Sequence, residues 1–443
     1  MGPKKKNEKG SKKKKDEKSK EQIEITNKLK LLLKDYEKQC SLLKSTADPA
    51  LKATLKDFTT EGKYLTRFIL RGAPIVDDTT KNLLITDINQ TQNDEEKYLV
   101  KIHPLIKSLR NHWYKTAKEF YFWDLDIPRE DISELVTYLS HRSYNVEYIE
   151  FLDCKIEWFT LKAFSSCFAV NETLTSVVLD YTNLKFDGLV GLCDGLQSTK
   201  SVTKLSLCYC QLSPKCGAVL GDLVSKSTIS ELYVDGNQLE CVGLIDILQI
   251  FVDKAEQEAI KRKEEKQAKI ESVVGMYSEN EKKSAISTKT TEPNSTKNAS
   301  SAKKKGKKKG RKKKKSAKPK LPPKCGAWLN VLHASDVGFD GMSTDVNGNL
   351  LHQSLILIQR WIIFSEDLKE IDLDDNLIGE LGGLEILSAL RQRKEEGLKP
   401  IYMKVTHRMD TQVFKNILSL ASGKSKRGGK KKKKKKGNGK KRV

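Results

Sequence analysis

The sequence predicts an α/β solenoid, with parallel strands inside and helices outside, stacked as repeats along one chain. Three observations predict it. One short pattern, apolar-x-x-apolar-x-apolar-x-x-(Asn/Cys/Thr)-x-apolar, recurs five times. It occurs as Val146, Ile149, Phe151, Cys154, Ile156; as Leu174, Val177, Leu179, Thr182, Leu184; as Val202, Leu205, Leu207, Cys210, Leu212; as Ile229, Leu232, Val234, Asn237, Leu239; and as Leu368, Ile371, Leu373, Asn376, Ile378. The first four copies start 28, 28 and 27 residues apart, at 146, 174, 202 and 229, a period that marks stacked repeats. Within each copy the apolar residues first alternate at period two, as in a strand, and then fall at helical spacing, as do Leu189, Leu192 and Leu196.

Taken in order, the chain opens on a basic tract, residues 1–20, with ten Lys and three acids. Such a block of like charge is expected to form a disordered tail. It has the charge of a secretory signal's first part, but no apolar run follows it. Residues 21–115 are expected to be a helical N-terminal region. In Glu21 to Lys44, Ile25, Leu29, Leu32, Leu33, Tyr36, Cys40 and Leu43 recur at helical spacing. That helix suits either a coiled-coil pairing or packing on its own solenoid. Residues 46–93 carry little pattern. Glu95 to Trp113 reads as a further helix, with Pro104 an awkward interior residue.

The first block of repeats spans 116–253. Ala117, Phe120, Phe122, Leu125 and Ile127 make an aromatic-rich first copy, expected to be a terminal capping repeat. Gly188, Gly217, Gly243 and Gly382 recur between strand and helix halves, where they would let the chain turn tightly. Residues 254–320 break the period. Asp253 to Glu271 is almost all Lys, Glu, Gln and Ala, a helix composition with no apolar stripe, and 278–320 is a Lys-rich insertion expected to be disordered. The second block with a C-terminal cap spans 321–421. There Val337 to Met342 echoes Leu184 to Leu189, an alignment that puts Asn330 at a core position. A poly-Lys tail, 422–443, ends the sequence.

The net charge of +24 is unevenly spread. Residues 1–20 carry +7, and 303–320 and 424–443 carry +13 each, which leaves the rest of the chain at −9. The tracts therefore call for an acidic polymer as partner: a polyacidic protein tail or a nucleic acid, bound through phosphate or carboxylate attraction without base reading. The nine cysteines are scattered and odd in number, which suits a reducing compartment. No stretch reaches the length of a transmembrane segment.

Chemistry-bearing motifs are lacking. The six histidines form no metal or catalytic spacing, and there is no HExxH, GxSxG or GxxxxGK[ST]. Cys208, Cys210 and Cys216 invite a zinc reading, but Cys210 already holds the repeat's ladder position and no CxxC partner exists. No enzyme activity, small-molecule substrate, cofactor or metal is expected.

The repeats resemble the ribonuclease-inhibitor-like class of leucine-rich repeat proteins, on the ladder residues Cys154, Thr182, Cys210, Asn237 and Asn376. The resemblance covers about 116–253 and 321–421 and implies a horseshoe-shaped solenoid. Lys-rich termini on such a solenoid are loosely similar to leucine-rich repeat proteins of cilia and flagella. The class binds many unrelated partners, so the resemblance speaks to fold more than function.

Strand positions outside the pattern should point to the concave face. Those residues are rich in Tyr and Asp: Trp123, Glu150, Asp153, Asp180, Tyr181, Tyr209, Tyr233, Asp235, Asp372 and Asp374, with almost no Lys or Arg among them. They are the candidate protein-binding site, suited to a basic partner segment. The expectation is a non-catalytic scaffold, cytoplasmic and attached through its Lys tracts to an acidic surface such as the microtubule cytoskeleton of a cilium. The alternative is a nuclear or nucleolar protein held on nucleic acid by the same tails.

Overall fold

A computed structural model of the protein describes residues 7–72, 99–284, 326, 329–340 and 349–421. The Lys-rich tracts 303–320 and 424–443 lie outside the described residues. The chain divides into two compact units: residues 1–256 together with 323–443, and residues 257–322.

The first unit is built on one nine-stranded, all-parallel sheet whose spatial order follows chain order. The strands are β1 (Arg67–Arg71), β2 (Glu119–Trp123), β3 (Tyr148–Leu152), β4 (Ser176–Val178), β5 (Lys204–Ser206), β6 (Glu231–Tyr233), β7 (Val331–His333), β8 (Glu370–Leu373) and β9 (Tyr402–Val405). From β2 onward each strand is followed by a helix: α4 (Arg129–Leu139), α5 (Trp158–Ser165), α6 (Lys185–Leu196), α7 (Cys216–Lys226), α8 (Glu240–Ser284), α9 (Asn349–Phe364), α10 (Gly379–Glu395) and α11 (Thr411–Ala421). Before them come α1 (Asn7–Leu42), α2 (Pro49–Glu61) and α3 (Ile102–Asn111). This is a repeat-like α/β solenoid. Among the described residues no helix is long and apolar enough to cross a membrane.

The repeat pattern explains the core. Ile149, Val177, Leu205, Leu232, Leu332 and Ile371 stand side by side in register, all buried. A single hydrophobic cluster runs from Ile25 to Ala421. Each repeat therefore buries its apolar side on its neighbours, as stacked units must.

The polar ladder residues close the turns. Asn237 Oδ1 accepts the N–H groups of Cys210 (3.0 Å) and Leu212 (3.1 Å), and its Nδ2 donates to Leu207 O (2.8 Å) and Val234 O (2.7 Å). Asn376 does the same for Val337 and Phe339. Cys210 donates its thiol to Leu179 O at 3.0 Å and to Cys208 O at 3.4 Å. The buried Thr182 hydroxyl has no partner.

Several expectations are revised. The copy at Phe120 is not terminal: β1 lies outside it, with Phe68 opposite Phe120 and Leu70 opposite Phe122. Polar ties hold β1 there. Asp48 caps α2 at Ala50 N (2.7 Å) and Leu51 N (3.1 Å) while also accepting Arg71 N (2.9 Å), and Tyr114 bonds both backbone groups of Leu65. The N-terminal amphipathic helix packs on its own fold, with Leu29, Leu32 and Tyr36 fully buried. It begins at Asn7, inside the stretch expected as a tail, because Lys- and Glu-rich sequence extends an existing helix without a new nucleus. Likewise α8 runs to Ser284, so 278–284 are helical.

Two further revisions concern the repeats themselves. The echo at Val337 is displaced by two residues: Val337, not a polar residue, holds the ladder position, and Asn330 is off the core while Leu329 and Leu332 enter it. The recurrent glycines serve close helix approach more than turning. A Cβ on Gly217 would lie 2.3 Å from Gly243 O.

Candidate functional site

The side of the sheet away from the buried pattern residues carries the expected site residues, and they fall into two groups. Trp123, Glu150, Tyr233 and Asp372 are strand residues of this face, and Asp180, Asp235 and Asp374 lie within two residues of strand ends. Asp153, Tyr181 and Tyr209 belong to a row at the strands' C-terminal rim, where one residue per repeat takes a left-handed backbone: Asp124 (φ 53), Asp153 (54), Tyr181 (58), Tyr209 (55), Gly236 (66), Asp336 (52) and Asp375 (54). Asp and Gly enter that conformation cheaply, so much of the row's acidity has a backbone cause.

At the β1–β3 end the face is filled by the chain's own cations. Arg67 lies over Tyr121, 5.3 Å from the ring centre, and bonds Glu119 at 2.7 Å. Arg71 lies 4.9 Å over Trp123, whose indole N–H donates to Glu150 at 2.8 Å. Glu150 also accepts the Tyr148 hydroxyl, and Tyr148 packs 5.0 Å from Tyr121. The strand was not recognised in the sequence, so these arginines were not counted on the face.

In the middle, Asp180 accepts Ser206 Oγ (2.7 Å) and Cys208 N (2.9 Å). Burial pushes its carboxyl up, while those hydrogen bonds pull it back. Tyr181 and Tyr209 stack nearly parallel, 4.7 Å apart at 8°, and are 53% and 44% exposed. They are the large aromatic surface of this region that faces solvent.

Toward β7, His333 is the residue that sequence reasoning missed. Its Nε2 lies 3.0 Å from Glu370, and its Nδ1 lies 3.9 Å from both Asp235 and Asp372. Tyr233 packs 4.5 Å from the imidazole and carries Lys204 over its own ring at 4.5 Å. Asp235 accepts Ser335 N at 2.8 Å, and burial raises its carboxyl. Asp372 is only 3% exposed and is closed by Lys404 at 2.5 Å and by Asp374 N at 3.1 Å, so it offers little to a ligand. Asp374 accepts Asp375 N at 3.1 Å. The signal for His333 was its register opposite Tyr233, hidden by the two-residue displacement of that repeat.

The expected residues thus form three clusters: Trp123 with Glu150, Tyr181 with Tyr209, and Tyr233 with Asp235 and Asp372. The first and third are separated by three to six strand spacings, about 14–29 Å. The three clusters thus lie along an open strip of the sheet rather than around one point. Of the described cysteines all but Cys208 are buried; the half-buried Cys208 thiol lies 3.8 Å from Asp235, and burial lifts it to about 12. Among the described residues no group of three or more His, Cys, Asp or Glu is arranged to hold a metal ion. Compared with protein-family models and with curated proteins, this chain matches none, so its function rests on the geometry of this face.

Proposed function

We propose that this protein is a non-catalytic scaffold of the leucine-rich repeat type, ribonuclease-inhibitor-like, that holds a protein partner along the open face of its sheet. One observation carries the reading: two stacked tyrosines, half exposed, stand on a surface where the rings of Tyr121, Trp123 and Tyr233 are already covered by the chain's own Arg67, Arg71 and Lys204. Rigid aromatic side chains supply contact area at low entropic cost. The 27–28-residue period and the Asn237 and Asn376 turn bonding support the repeat class. The Lys-rich tracts serve as weak attachments to an acidic surface, with a microtubule-based structure as the favoured target.

The test uses the full chain with Tyr181→Asn and Tyr209→Asn together. Asn removes both rings and still accepts a left-handed backbone. Affinity purification should recover proteins with the parent chain that the double variant loses, at unchanged far-ultraviolet circular dichroism. Recovery of the same proteins by both would overturn the reading. If the retained material is nucleic acid, released steeply by salt and absent once 303–320 and 424–443 are deleted, the nuclear alternative takes its place.

A further inference from the structure

The left-handed row contains two residues that do not belong there on backbone grounds. Asp and Gly fill the other five positions, whereas Tyr181 and Tyr209 carry bulky side chains in a conformation that opposes Cβ. Their rings are held in place. The separation of 4.7 Å equals the spacing of neighbouring strands, so the stack runs along the row. One face of Tyr209 lies on Tyr181. Its other side lies on Gly236, where an added Cβ would come within 2.1 Å of the ring. The remaining open ring face is that of Tyr181, and it looks toward the preceding members of the row, Asp153 and Asp124. Both are exposed, and neither carboxylate has a hydrogen-bond or ion-pair partner among the described residues.

The same face shows what such a combination holds. Arg67 is gripped by a tyrosine ring and a carboxylate together, Tyr121 at 5.3 Å and Glu119 at 2.7 Å. Arg71 lies 4.9 Å over the centre of Trp123. At Tyr181 and Asp153 the ring and the carboxylate recur with no cation over the ring. We propose that this is a seat for an arginine side chain of the protein partner, stacked on Tyr181 with its N–H edge on Asp153. Arginine fits better than lysine because a planar guanidinium stacks on a ring and presents a fork to a carboxylate at once. The inference rests on the open-face reading above and names what that face recognises.

The test is fluorescence anisotropy of a labelled Gly-Gly-Arg-Gly-Gly-Arg-Gly-Gly peptide titrated with the full chain at physiological salt. The Lys counterpart of the peptide and the variants Asp153→Asn and Tyr181→Asn serve as comparisons. Both variants keep the left-handed backbone, so the fold survives. The Arg peptide should bind saturably, and the Lys peptide and each variant should each weaken binding about fivefold or more. Equal affinity for the two peptides, no effect of Asp153→Asn, or no saturable binding overturns the proposal. Should the peptide arm fail while the Tyr181/Tyr209 double variant still loses its captured protein, the arginine seat is wrong and the open-face reading stands. Loss of neither removes both.

Discussion

Replacing Asn237 by Ala tests the repeat's internal wiring. Its side chain is the acceptor for two buried backbone donors, Cys210 N at 3.0 Å and Leu212 N at 3.1 Å, and the donor to the carbonyls of Leu207, Val234 and, at 3.3 Å, Asp235. Each buried N–H left without a partner costs about 1–3 kcal/mol, so the two together give about 2–6 kcal/mol. Leu207 O and Val234 O lose their Asn237 donor as well, which moves the expected cost toward the upper end of that range. Asn237→Cys is the informative companion. At Cys210 the thiol of this position donates to the carbonyls of Leu179 and Cys208, and sulfur is a weaker acceptor than an amide oxygen. The Cys variant should therefore recover mainly the donor half and fall between Ala and the parent. Thr182→Val goes the other way. Its hydroxyl is buried and bonded to nothing, so a methyl of the same shape should stabilise by about 1 kcal/mol. Urea unfolding of the full chain followed by circular dichroism reads all three. A midpoint for Asn237→Ala indistinguishable from that of an exposed helix substitution would refute the argument, as would Thr182→Val lowering the midpoint.

Gly236→Ala places a Cβ at positive φ and drives it into the Tyr209 ring. Stability should fall by about 1–2 kcal/mol, and the Tyr181–Tyr209 stack should open, seen as a change in near-ultraviolet circular dichroism. Arg393 is 2% exposed and donates to the carbonyls of Ile362, Ser365, Leu368 and Lys399; Arg393→Met should cost about 2–4 kcal/mol, measured as a lower thermal midpoint, and an unchanged midpoint would show these bonds to be idle. The Asp180 carboxyl is raised by burial, so the folded state holds its proton at a pH where the unfolded chain has released it. The stability linked to that proton is present below the ordinary carboxylate range and lost as pH rises through the raised value. Asp180→Asn should therefore be relatively more favourable at pH 7 than at pH 4. An equal shift in thermal midpoint at both would contradict the assignment.

The sequence displayed the repeats from β3 to β6, and again at β8, because each strand's buried residues and its polar turn residue obey one spacing. Where that spacing bends, the reading slipped. The β7 repeat has Val337 in place of a polar ladder residue, and the nearby Gly-Phe-Asp-Gly likeness pulled the alignment two residues off. That hid His333, whose meaning depends on lying opposite Tyr233. The β1 strand was missed because it is a lone strand among helices, fixed by tertiary bonds from Asp48 and Tyr114 that leave no local pattern. With it went Arg67 and Arg71, and hence the observation that part of the aromatic face is already covered. Asp153, Tyr181 and Tyr209 were recognised as ligand candidates but assigned to strand geometry. Only φ separates a rim residue from a strand residue two positions earlier.

A second set of short polar residues was equally regular and went unread. Asn171, Thr199, Ser227 and Ser365 sit two or three residues ahead of the first apolar position of their repeats. There each side chain accepts the N–H of Leu174, Val202, Ile229 or Leu368. A search for such residues before the strand, as well as for Asn and Cys after it, would have found them.

Tyr233 and His333 face each other across adjacent strands as closely as any two sequential repeats, although the chain leaves the sheet between them and returns only at β7. Ring-closure entropy grows only with the logarithm of length, so doubling an excursion of roughly a hundred residues adds about 0.6 kcal/mol. The spine is therefore nearly indifferent to how much sequence is threaded out at that point. Evolution could lengthen, shorten or exchange that detour as a cargo, and the interlocked coils on either side would still find their register.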